Sequence, residues 1–98
     1  MPTIREDTFI WRKWPGREVT EVWGEISVSS GDIIHSYDIG LKSIINILFT
    51  PESNTGVIVT KYIMNKGQND NYASVWIWDD RSTPHTGSLW LNFYAIGK

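Results

Sequence analysis

Two carboxylates four residues apart, Glu21 and Glu25, stand either side of Trp23. Paired carboxylates beside an indole raise the possibility of glycoside hydrolysis, and their spacing tests it. On a strand, side chains at i and i+4 share a face and stand about 13 Å apart. Glycosidases hold their two carboxyls roughly 5–5.5 Å apart when retaining and roughly 6.5–9.5 Å apart when inverting. The pair therefore fits a solvated strand face. His35 and His85 lie in different segments without metal-ligand spacing. Asp79-Asp80 brings two carboxylates where calcium takes about six to eight oxygens. Gly16, Gly24, Gly31 and Gly40 are isolated and form no phosphate loop, and no serine is marked as activated. The expectation is a protein that is not an enzyme, with no catalytic residues, no metal and no cofactor.

The residue types that stand out are aromatic: six Trp, four Tyr and three Phe in 98 residues. In the segment 72–78, Ala73, Val75 and Ile77 alternate with Tyr72, Ser74, Trp76 and Trp78. In the segment 89–96, Leu89, Leu91, Phe93 and Ala95 alternate with Trp90, Asn92, Tyr94 and Ile96. Each strand thus has an aliphatic face suited to a second sheet and an opposite face of large aromatics and polar groups. Trp76, Trp78, Trp90 and Tyr94, flanked by Tyr72 and Asn92, would form a patch too apolar to leave in water without purpose. Aromatic planes suit the apolar faces of pyranose rings, and Asp79, Asp80 and His85 in the following loop offer groups for hydroxyls. Alternation alone leaves three uses open: core, oligomer interface or sugar platform.

The elements that must position these residues are strands. Val22, Gly24, Ile26 and Val28 alternate with Glu21, Trp23, Glu25 and Ser27. Further strands are expected over 33–39, 41–50, 57–65, 72–78 and 89–96, with turns at 30–32, 51–56 and 66–71. The segment 41–50, with Ile44, Asn46 and Leu48 opposite Ser43, Ile45, Ile47 and Phe49, reads as a central strand buried on both faces. Residues 8–14 read as one more strand, which Pro15-Gly16 stops, and no helix is expected. The fold class is all-β, a compact antiparallel β-sandwich of six or seven strands. Residues 1–18 are expected to be an N-terminal arm or first edge strand, and 19–98 the sandwich domain.

A net charge of −2 argues against a nucleic-acid partner. Arg5, Arg12, Lys13 and Arg17 give the N-terminal stretch a local basic bias, read as a solvated arm. No signal peptide or membrane-spanning run is visible. With no cysteine and a small core, stability must come from aromatic packing and oligomerisation.

The closing run Leu89-Trp90-Leu91-Asn92-Phe93-Tyr94-Ala95-Ile96-Gly97 resembles the last strand of phage and prophage tail-fibre proteins, which ends in an aromatic residue followed by Ala-Ile-Gly. Gly40-Leu41-Lys42-Ser43-Ile44-Ile45-Asn46-Ile47 looks like the strand before their first long loop, and Trp23-Gly24 like the opening of their first core strand. The resemblance spans about residues 20–97 and extends to the H-type lectins. It implies a six- or seven-stranded sandwich, a homotrimer, and receptor binding at an exposed tip. It further implies residence in the virion, with a cell-surface glycan or other virion proteins as partners. The alternative is a purely structural homo-oligomeric module without a ligand. A tail fibre carries a long shaft where only about 19 residues precede the matched stretch here.

Overall fold

The computed structural model describes residues 2–52, 56–66, 68–80 and 82–98. Seven strands follow in order: β1 (Thr3–Lys13), β2 (Thr20–Ser29), β3 (Asp32–His35), β4 (Ile44–Pro51), β5 (Ile58–Met64), β6 (Tyr72–Trp78) and β7 (Ser88–Gly97). They form two antiparallel sheets, β1-β2-β7-β4 and β3-β6-β5. The shortest dimension of the molecule is 19 Å, the thickness of two sheets about 10 Å apart plus their outward side chains. The chain is an antiparallel β-sandwich.

The inner faces follow the alternation. Val22, Ile26 and Val28 from β2 and Leu91, Phe93 and Ala95 from β7 meet Ile34 of β3 and Ala73, Val75 and Ile77 of β6. Burying each large aliphatic side chain contributes about 1.5–3 kcal/mol, so this double row is the main cohesive term. No helix among the described residues is long and apolar enough to cross a membrane.

Three elements differ from the alternation pattern, each for a local reason. β1 starts at Thr3, well before residue 8, and is an edge strand paired with β2. Its register shifts between Arg5 and Ile10, and the irregular stretch turns Phe9 into the core over Gly24. A Cβ at residue 24 would overlap the Phe9 ring, which explains why glycine follows Trp23. The expected strand 33–39 ends at His35, because Ser36–Ile39 wind into a single 3-10 turn closed by Gly40 at φ +76°. β4 is an edge strand, not a central one. Its register against β7 slips between Ile44 and Asn46, so Ile44 and Ile47 both reach the core while Leu48 is left half exposed.

Gly97 shows why the closing Ala-Ile-Gly is so composed. Ala95 is fully buried in the core, and a Cβ at residue 97 would overlap the Ser43 carbonyl oxygen. Since that oxygen also accepts the Lys98 N–H at 3.0 Å, it cannot retreat without loosening β4 from β7. Gly97→Ala is expected to lower stability by about 1–3 kcal/mol, read as a lowered urea midpoint with an unchanged slope.

Candidate functional site: an exposed aromatic sheet face

The outer face of β3-β6-β5 is built in rows by the cross-strand register. His35, Tyr72 and Met64 form the first row, and Ile33, Ser74 and Tyr62 the second. Trp76 pairs with Thr60 in the third and Trp78 with Ile58 in the fourth. None of these outward strand positions is Asp, Glu, Lys or Arg. The face is nevertheless open to solvent: Tyr62 is 66% exposed, Ile58 46%, Ile33 42% and Trp76 41%.

Its aromatic groups are held by their neighbours. The Trp76 indole lies over Gly31, where the turn before β3 takes a φ of +90° that favours glycine. Trp76 stacks on Trp78 with centroids 5.8 Å apart and planes 21° from parallel. Trp78 donates its Nε1–H to the Thr60 hydroxyl at 2.9 Å. At the other end His35 stacks on Tyr37 of the 3-10 turn, centroids 4.8 Å apart, and lies against Tyr72. Tyr37 itself is 62% exposed.

The loop after β6 folds back beside Trp78. His85 donates its backbone N–H to the Ile77 carbonyl, and its Nδ1 lies 2.5 Å from Asp79 Oδ1. Pro84 bridges to Trp78. Asp80 accepts from the Ser82 N–H and hydroxyl and from the Thr83 N–H. Those bonds, first among them the one from the Ser82 backbone, hold its carboxyl below the ordinary range. Arg81 lies outside the described residues.

Trp90, Asn92 and Tyr94 are elsewhere. They face outward from β7, which belongs to the other sheet, so the sandwich places them back to back with Trp76 and Trp78. The Arg5 guanidinium sits 4.0 Å above the Trp90 ring and pairs with Glu25. Tyr94 packs on Trp23 and donates its hydroxyl to Glu21 at 2.9 Å. Burial, then the bond to Glu21 and its charge, raise the Tyr94 phenol above its usual value. Trp14 donates its indole N–H to the same carboxylate. Glu21 and Glu25 therefore serve as anchors for the β1–β2 hairpin, with different partners.

The nine residues singled out by alternation thus divide. Tyr72, Trp76, Trp78, Asp79, Asp80 and His85 lie on or beside one face, and Trp90, Asn92 and Tyr94 on the opposite one. Ile33, His35, Tyr37, Thr60 and Tyr62 complete the first group; His35 was weighed only as a metal ligand, and the other four were not singled out. The β5 residues carried a usable signal, since Ile58, Thr60, Tyr62 and Met64 alternate with the same period as β6.

The anchored face also contains a pH-sensitive contact. Slight desolvation of the exposed Glu52 carboxyl, then a hydrogen bond with Glu25 and the charge of Glu25, raise it above its ordinary value, and Arg5 partly offsets this. Glu52 thus favours the folded state fully below its unfolded value, and that contribution is lost as pH rises through the higher folded one. Glu52→Gln is expected to raise the melting temperature at pH 7 and to leave it unchanged near pH 4. Equal shifts at both pH values would show that no such coupling exists.

Protein-family models, curated proteins and solved structures give no match to the chain.

Proposed function

We propose that the chain is a non-catalytic binding module of a virion surface, acting as a tail-fibre tip does, which stacks a host-cell glycan on the outer face of β3-β6-β5. The observation that supports this reading is the composition of that face: exposed Trp76, Tyr62 and Tyr37 with Thr60, Ser74 and His35 nearby, and no Asp, Glu, Lys or Arg at its outward strand positions. Pyranose rings present apolar C–H faces rimmed by neutral hydroxyls. Rigid aromatic planes match the first, and hydroxyl and imidazole groups match the second. The virion setting and a trimeric state are drawn from the resemblance of the closing strand. Trimerisation suits a shallow sugar site, because linking three such sites raises avidity by roughly 10²–10⁴.

A second reading rests on Ile33 and Ile58, exposed aliphatics at the rim of the same face. Under it, a second copy of the chain covers the aromatics and the module is purely structural. Light scattering across a concentration range, followed by a glycan array at the resulting oligomeric state, separates the two. A trimer or monomer that captures neutral oligosaccharides supports the glycan platform. Concentration-dependent assembly that shields Trp76 from a soluble fluorescence quencher, with no glycan retained, assigns the face to the oligomer.

A further inference from the structure

The basic residues near the N-terminus take no part in the aromatic face. The register shows what lies beside one of them. Lys13 ends β1 opposite Thr20, which opens β2, and Thr20 lies opposite Gly97 at the end of β7. Gly97 lies in turn opposite Ile44, which opens β4. Four strand ends of one sheet therefore fall on one line, and Lys13, Lys98 and Lys42 sit at three of them. Backbone bonds fix the last two together: Lys42 N–H donates to the Lys98 carbonyl at 2.6 Å, and Lys98 N–H to the Ser43 carbonyl at 3.0 Å.

The three lysines line a single recess of about 480 Å³, together with Thr20, Gly40 and Asn69. Glu18 is the only acidic residue in that lining. Among the described residues, none of the three ammonium groups has a carboxylate within ion-pair distance. Three lysines without an ion-pair partner on one exposed hollow repel one another, an effect that Glu18 and solvent screening keep small, on a chain whose net charge is −2. A multivalent anion seated between them would remove that repulsion and gain charge-assisted hydrogen bonds.

We propose that this recess is an oxyanion site that takes a phosphate group, with Lys13, Lys42 and Lys98 as its cationic donors. A phosphate monoester offers up to two negative charges and three strong acceptor oxygens, which suits a hollow lined by three lysines and a threonine. The site lies at the strand ends of the β1-β2-β7-β4 sheet and does not depend on the use of the aromatic face. Its chemistry admits either free phosphate or a phosphate carried on a sugar.

Amide NMR titrations of the full chain at low salt with inorganic phosphate, glucose 6-phosphate and glucose test it. Both phosphates are expected to cause saturable shifts at Lys13, Thr20, Gly40 and Asn69, and glucose none. Each of Lys13→Gln, Lys42→Gln and Lys98→Gln should weaken the phosphate affinity about tenfold without changing the melting temperature. Lys61→Gln, whose side chain lines a different hollow with Leu48 and Val59, should leave it unaltered. Glucose 6-phosphate binding tighter than inorganic phosphate identifies a phosphorylated sugar as the ligand class, and the reverse order identifies phosphate itself. Absence of saturable shifts at these amides, or affinity unmoved by all three lysine replacements, overturns the proposal.

Discussion

Trp76→Ala is expected to weaken glycan capture by about 30-fold while the chain still folds. Truncating an aromatic at the centre of a binding surface typically costs about 2 kcal/mol or more, which is that factor. Trp76 occupies the centre here: it lies over Gly31, stacks on Trp78 and pairs across the sheet with Thr60. Because it is 41% exposed and points away from the core, its removal opens no internal cavity. The loss of stability should therefore be small beside the loss of binding.

Trp90→Ala supplies the contrast, because alternation alone ranks the two tryptophans equally. Trp90 lies beneath Arg5 on the opposite sheet. Its replacement removes a cation–π contact of about 0.5–2 kcal/mol that ties β1 to the sheet. The expected result is a lower melting temperature and an unchanged glycan affinity, measured on the protein in its native oligomeric state. Equal losses of binding in both variants would refute a platform confined to β3-β6-β5.

That contrast marks how far the sequence could be read. Side-chain direction along a strand has period 2, so the inner faces of β2, β6 and β7 were legible from Val22–Val28, Ala73–Ile77 and Leu91–Ala95 alone. Which strands are neighbours has no such local signature. β6 and β7 alternate alike, yet hydrogen bonding assigns them to different sheets and turns their aromatic faces away from each other. Irregular register hid more. The shift near Phe9 breaks the period of β1, and the slip at Ile44–Asn46 makes an edge strand look apolar on both sides. The short motifs Trp23-Gly24 and Ala95-Ile96-Gly97 were visible, but their reason is tertiary. Each glycine lies where another segment comes too close for a Cβ.

Asn71→Ala is expected to cost the fold the most. Asn71 is fully buried just ahead of β6, and its side chain serves both polar groups of one residue on the facing sheet. Its Oδ1 accepts the Ile44 N–H at 2.6 Å, and its Nδ2 donates to the Ile44 carbonyl at 2.8 Å. Its own carbonyl accepts the Ser36 N–H, which brings the 3-10 turn into the same junction. Ile44 stands where the β4 register slips, so a side chain completes there what a neighbouring strand would otherwise supply. Alanine would leave a buried donor and a buried acceptor unmatched, at about 1–3 kcal/mol each. A sum of about 2–6 kcal/mol is a large share of the roughly 5–15 kcal/mol that holds a domain folded. Urea titration should show a large fall in midpoint for Asn71→Ala and almost none for the exposed Asn92→Ala. Asn71→Asp isolates the hydrogen-bond pattern from shape, since it keeps an acceptor for the Ile44 N–H but sets a second acceptor against the Ile44 carbonyl. Burial raises such a carboxyl's pKa, so this variant should weaken further as pH rises through its titration. If Asn71→Ala and Asn92→Ala unfold at the same urea concentration, the two sheets are held by apolar packing alone and the Asn71–Ile44 pair adds nothing to it.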